Sequence, residues 1–497
     1  MTTLVSAGEV RRWIGRTQRA HSSRGEIAGN WYFAVLFVAI VGGMLHKQLA
    51  VVFWPDHPNA SRLAGVSLIL TMLGGLFLGL RRFGPLAISR PAASWLLTAP
   101  MSRRALLLPG LGSALAVAAL TGALAALAVE GHVLARPLVE QAVLLPLVGA
   151  LAAATLLFVA LAAQADRWWS PWCDRLAALV LAAGLAGLVA DSAVAAPLAP
   201  PGWPRPGWVV TAAGALAVIV LAGFLIAVRN LARTPNDRIL ESARTAGTLW
   251  DSAYAVEPSF VSDMVERRYW ARRHLRSRRL SSRVPVLVAQ DLRMLRRRPV
   301  RLLWLAGGAA LPALVTTAPR LVLAAAVLLG GLFAGSVTTA TLRTDTGNPF
   351  MLRMLGLDSR TAILQRAAVP VALATCWYAL SLGLLQLLGD LPPGPWWLLG
   401  VAVGPVGGVA AVRKARAGFV DNGSLPFDTP MGSVSTGPLV AALAGVDMLL
   451  LGVPALVLIA QNQPLTWTAI LVQAVLTAAG CRLYLTATTA QDRVELA

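Results

Sequence analysis

Asp447 interrupts a long apolar run, between Val446 and Met448, and Asp191 lies toward the end of another. An ionisable side chain inside a membrane-length apolar segment is expensive, so it serves an ion path or meets an opposite charge on a neighbouring helix. Arg482, in the next apolar run, is the charge that could answer Asp447. Translocation path and buried pair both remain open for Asp447, Arg482 and Asp191. Gln386 and Gln473 also lie within apolar runs, while Glu130 and Glu140 sit at their boundaries. A proton-coupled transporter would place more acids deep in its spans, so the pattern leans away from that class.

Other chemistries lack their residues. No Gly-x-x-x-x-Gly-Lys-Ser/Thr loop occurs, and neither lysine, Lys47 or Lys414, follows a glycine, so the chain carries no ATP site of its own. His-Glu-x-x-His is missing, and the five histidines and three cysteines are dispersed, so no metal site is expected. No Gly-x-Ser-x-Gly elbow is present. The expectation is a chain that uses no cofactor of its own and is not an enzyme.

Those polar residues have to be held by apolar helices. Hydrophobic residues make up 57% of the 497-residue chain and charged residues 13%, which excludes an ordinary soluble domain. Stretches long enough to span a bilayer fall near 31–53, 63–80, 106–129, 138–162, 176–196 and 209–228. Six more fall near 302–318, 321–341, 367–388, 396–412, 438–460 and 465–486. The expected fold is all-α, with about twelve transmembrane helices. The net charge of +20 is topological. With both termini in the cytoplasm, only Lys47, Arg62, Arg136, Arg205 and Arg320 lie outside, as the positive-inside rule requires. That placement explains the charge through the lipid bilayer and excludes nucleic acid as a partner.

The chain also repeats itself. Leu73-Gly-Gly-Leu-Phe-Leu-Gly79 returns as Leu329-Gly-Gly-Leu-Phe-Ala-Gly335, and Ser102-Arg103-Arg104-Ala105-Leu106-Leu107 returns as Ser359-Arg360-Thr361-Ala362-Ile363-Leu364. The twelve spans therefore read as two six-helix repeats: 1–228, a basic cytoplasmic linker over 229–283, and 284–497. Gly75 and Gly79, like Gly331 and Gly335, are spaced to put small residues on one helix face for close packing.

Between the second and third spans of each half lies a short apolar stretch, then a turn, then Ser-Arg. The first contains Trp95, Leu96, Leu97, Pro100, Ser102, Arg103 and Arg104; the second contains Leu355, Asp358, Ser359 and Arg360. Ser102 and Ser359 suit helix N-caps. Val284–Pro299 has Leu287, Leu292 and Leu295 on one side and ends in arginines, and Val10–Arg24 is a weaker equivalent.

With these segments the chain resembles the type 2 ABC exporter permeases, in which an amphipathic elbow helix precedes the first span and a coupling helix between spans two and three docks on an ATPase. The residues near 95–104 match that pattern well. The copy near 351–360 departs from it, with Leu357 in place of the proline and Asp358 before Ser359. The resemblance implies a bacterial inner-membrane permease and a separate ABC ATPase in two copies, which would supply the ATP and Mg chemistry. It also implies an apolar or amphipathic substrate. The alternatives are an ion-gradient-driven twelve-span secondary transporter and a membrane-bound enzyme or scaffold.

Overall fold

The computed structural model describes residues 61–84, 102–133, 139–165, 168–193, 206–231, 236–254, 284–316, 319–347, 356–417, 426–429, 432–435 and 443–494, with a scatter of single positions elsewhere. It divides into two compact units, Met1–Asp251 and Ser252–Ala497. The span expected near 31–53 and the segment Val10–Arg24 lie largely outside the described residues.

The first unit holds α1 (Arg62–Phe83), α2 (Arg103–Val133), α3 (Val139–Ala165), α4 (Ser170–Ala193), α5 (Pro206–Asn230) and most of α6 (Asn236–Tyr254). Helices α1 and α4 pack antiparallel. Small residues let their backbones approach: Gly74 meets Ala177 and Leu181, and Gly184 meets Ser67 and Thr71. Polar ties sit at both ends of this pair, Ser61 to Asp191 at one and Arg81 to Asp174 (2.9 Å) at the other. Helices α2 and α3 touch backbone to backbone at Gly122 and Gly149. Helix α6 lies in the stretch expected as linker, yet it packs on this unit. Its Ile239 joins Leu107, Leu111 and Phe158 in a core, and Ser242 fills the space beside Gly84.

The second unit holds α7 (Val286–Arg296), α8 (Pro299–Gly308), α9 (Arg320–Ser336), α10 (Ala340–Gly347), α11 (Ser359–Leu387), α12 (Trp396–Arg416), α13 (Val453–Gln461) and α14 (Trp467–Val494). A 3-10 turn over Leu311–Val315 follows α8, and another over Asp447–Gly452 leads into α13. A two-stranded antiparallel hairpin, β1 (Pro426–Thr429) and β2 (Gly432–Ser435), is the one sheet among the described residues. Helix α12 is the hub. Of its apolar stretch 67% is buried, against 6% for α5. Gly400, Gly404 and Gly408 bring α12 against Ala379, Thr375 and Val371 of α11. The core around it centres on Trp377, Tyr378, Trp396 and Leu399.

Each unit has its own set of helix neighbours. In the first, α1 packs on α4, α2 on α3, and α3 on α5; in the second, α11 packs on α12, α9 on α12, α11 and then α13, and α12 on α14. Among the described residues eight helices are long and apolar enough to cross a membrane: α1 to α5, α11, α12 and α14. The protein is an all-α polytopic membrane protein.

Three expected spans of the second half differ from continuous helices. The first breaks at Ala309-Ala310 ahead of Pro312, where the ring leaves no N–H to extend the ladder. The second ends at Ser336, where the hydroxyls of Ser336 and Thr339 bond back to Phe333 and Ser336 carbonyls (2.7 and 3.0 Å) and compete with the ladder. The fifth opens as the 3-10 turn, and α13 starts at Val453-Pro454, a position that proline suits. Gln473 of α14 repairs this last break. Its Oε1 accepts from Ala455 N–H (3.2 Å) and its Nε2 donates to the Leu451 carbonyl (2.9 Å), so backbone groups freed by the break keep partners.

Candidate functional site

The most heavily bonded polar cluster lies where α7, α10 and α11 meet. Helix α7 is amphipathic, with Leu287 and, one turn on, Asp291 on its buried face. Asp291 thus takes a place where the pattern calls for a leucine. Pro285, preceding α7, offers no side-chain cap, so the Leu287 N–H donates instead to Gln365 Oε1 of α11 (3.2 Å). The next residue, Arg366, is 3% exposed although it is a cation two turns into an apolar helix. Its Nη1 donates to Asp291 Oδ1 (2.5 Å), its Nε to Asp345 Oδ2 (2.7 Å) and its Nη2 to Gln290 Oε1 (3.1 Å). Thr341 of α10 adds a donor to Asp291 Oδ1 at 3.0 Å. One guanidinium therefore ties three elements together.

Two carboxylates share that guanidinium, and Asp291 is only 1% exposed. Burial pushes its carboxyl up to about 6, outweighing the Arg366 charge and the Thr341 and Arg366 hydrogen bonds that pull it down; Asp345 adds repulsion. Beside it lies a cavity of about 20 Å³, lined among others by Met294, Arg298, Arg301, Thr338 and Thr341. That is room for a single water.

The residues expected to couple to a partner are partly described. Ser102 caps α2, its Oγ accepting from Ala105 N–H at 3.2 Å. Arg104 Nε donates to the Val228 carbonyl in the last turn of α5 (2.8 Å), where a cation answers the helix dipole. Arg103 opens α2 beside it. In the second unit the cap is Asp358, not Ser359: its carboxylate accepts from Thr361 N–H (3.3 Å), and Ser359 is the first helical residue. Hydrogen bonding from Thr361 holds the Asp358 carboxyl below the usual range. Carboxylates cap as well as hydroxyls do, so Asp358 moves the helix start back by one position. Gly356, at φ +70°, makes the turn that delivers the chain to this cap. Arg360 lies exposed in the first turn of α11. Trp95, Leu96, Leu97, Pro100 and Leu355 lie outside the described residues.

Asp447 meets Arg413 of α12, not Arg482. Its Oδ1 also accepts from Gly445 and Met448 N–H, both at 3.0 Å or less, because the chain turns here and leaves those amides without carbonyl partners. It stands at a span end, 41% exposed, rather than in the middle of a helix. Arg482 is exposed on α14. Asp191 is buried at the Ser61 end of the α1–α4 pair.

Gly331 and Gly335 are packing residues, against the Tyr378 ring and against Gly407, Gly408 and Ala411. Gly75 is not: nothing lies near where its Cβ would be, and Gly74 takes the contact. The packed face of α1 runs through Ser67, Thr71, Gly74 and Arg81, which turns Gly75 away; Gly79 is half-buried. Glu130 is 1% exposed in α2, and neither carboxylate oxygen has a hydrogen-bond partner. Among the described residues no three His, Cys, Asp or Glu side chains come together to hold a metal.

Asp291, Asp345 and Arg366 were legible only in part. An acid at a leucine position of an amphipathic helix and an arginine inside an apolar run are each a signal. Their pairing, across 75 positions of chain, is not.

Helices, breaks and polar ties together define a multi-pass α-helical membrane protein whose charged side chains fasten helix ends. The chain belongs to DUF6297, a family of unknown function whose model matches residues 57–423. No curated protein and no solved structure matches it.

Proposed function

We propose that this chain is the membrane-spanning permease subunit of an ATP-driven, ABC-type exporter, working with two copies of a separately encoded ATPase. The observation that supports this most is the fastening of the third span of each half. Arg104 ties the start of α2 to the end of α5, and Gln365 with Arg366 ties the start of α11 to amphipathic α7. A push delivered near 95–104 or 351–360 would pass through these ties to other helices. The ends carrying Arg81 and Arg366 face the cytoplasm of a bacterial inner membrane in this reading, with both termini on that side. The cargo is apolar or amphipathic.

The test is biochemical. The chain purified alone should hydrolyse no ATP, and mild solubilisation of native membranes should retain a subunit with a phosphate-binding loop. Arg103→Glu with Arg104→Glu should release that subunit while insertion persists, because the changed charges stay out of the hydrocarbon core. Retention of the subunit by the double variant, or ATP hydrolysis by the lone chain, would sink the proposal.

The buried Glu130 and Asp291 favour a second reading, an ion-gradient-driven secondary transporter. In that case dissipating the proton gradient would stop transport with ATP present, and Glu130→Gln would do the same.

A further inference from the structure

Asp291 divides its two oxygens unequally. Oδ1 accepts from Arg366 Nη1 (2.5 Å) and from Thr341 Oγ1 (3.0 Å). Oδ2 is buried with no hydrogen-bond partner, and so is the Thr338 hydroxyl, which lines the same cavity. An oxygen that meets no donor is costly as part of an anion, but as a hydroxyl it can itself donate. The surrounding charges are mixed. The groups facing Asp291 are Arg366 from α11 and Asp345 from α10, with Arg298 and Arg301 lining the cavity from the start of α8. Asp345 offsets part of the pull of Arg366 at Asp291, and Arg298 and Arg301 bound the cavity beside it. Asp291 itself lines the cavity, which has room for one water.

We propose that Asp291 is a proton-binding site that governs the docking of α7: proton-loaded, it holds α7 against α11, and proton-free, it loosens that hold. The direction follows from linkage. Docked, the carboxyl titrates at about 6; undocked and in water it returns to 3.8. The docked state therefore binds the proton more tightly, and proton uptake favours docking. This contribution is fully present below the undocked value and is lost as pH rises through the docked one. Over that whole range it amounts to about a hundredfold in the docking equilibrium. A simple ion-pair staple would behave in the opposite way, because protonating its acid would weaken the tie to Arg366 and release α7 on acidification. The inference concerns the second unit alone and stands whether or not an ATPase drives the protein.

Hydrogen exchange on the full-length chain in lipid nanodiscs separates the two. Peptides covering Val286–Arg296 are followed from about pH 8 to about pH 5, each rate divided by the intrinsic rate at that pH. Protection should rise about tenfold toward acid. Asp291→Asn, which is permanently neutral and keeps an acceptor for Arg366, should hold the acid-side protection at every pH. Thr341→Val removes a donor that favours the anion, so its transition should move to higher pH. Protection that falls or stays flat on acidification overturns the proposal, as does an Asp291→Asn protein whose α7 is loose throughout or still responds to pH. If Asp291→Asn is not recovered folded, the direction in the unmodified protein and the Thr341→Val shift decide.

Discussion

Asp447 shows how much a single side chain can do at a helix break. One oxygen accepts from two backbone amides, of Gly445 and Met448, while the carboxylate also meets Arg413. The ion pair is 41% exposed on both sides, so water screens it and it contributes little to stability. The amide bonds matter more, since lost acceptors leave N–H groups wanting partners in an apolar setting. Asp447→Asn keeps the accepting oxygen and should melt within about 0.5 kcal/mol of the parent. Asp447→Ala loses it and should cost about 1 to 2 kcal/mol. Thermal unfolding of both variants in detergent checks this. Equal losses in the two would mean that charge, not capping, is what the position supplies.

At the scale of elements, rotational phase decides what a repeated motif does. Gly331 lies under the ring of Tyr378, whose hydroxyl donates to the Leu328 carbonyl at 2.7 Å, so neither partner can yield easily. Gly331→Ala should destabilise by about 1 to 3 kcal/mol. Gly75→Ala points into open space and should leave the melting temperature unchanged or slightly higher, since alanine suits a helix better than glycine. A fall for Gly75→Ala as large as that for Gly331→Ala would overturn this assignment. The contrast also shows what the letters could and could not reveal. Spans were legible because transfer into lipid depends on composition over about 20 residues, which needs no knowledge of neighbours. Which face of α1 packs was not, because the heptapeptide reads the same from Gly74 or Gly75 until Ser67, Thr71 and Arg81 are seen to share a line. The break at Gly452-Val453-Pro454 was visible as a proline, but its repair by Gln473 needed the fold. The pairing of Arg366 with Asp291, inside Val284–Pro299, also needed the fold, because it forms only where α7 packs against α11.

For the whole molecule, the property with the widest consequence is the direction in which it faces. Arg244 is exposed on α6, and Gln463 is exposed in the turn before α14. With the native Cys173, Cys376 and Cys481 replaced, Gln463→Cys should react with an impermeant thiol reagent in intact cells. Arg244→Cys should react only after the cells are opened, because the arginine-rich side belongs inside. The reverse pattern would invert the orientation and take the proposed coupling segments away from any cytoplasmic ATPase.

The α1–α4 pair has a mechanical meaning of its own. Ser61–Asp191 and Arg81–Asp174 lie at opposite extremes of the two helices, with glycine contacts between them. A slide of one helical turn, about 5.4 Å, would part both ties together and drive a larger side chain into the room left by Gly74 and Gly184. The pair is thus a strut pinned at each end, with no second register to fall into. Any movement of the first unit that keeps these ties tilts the strut as one piece, and sliding is left to faces that are not pinned.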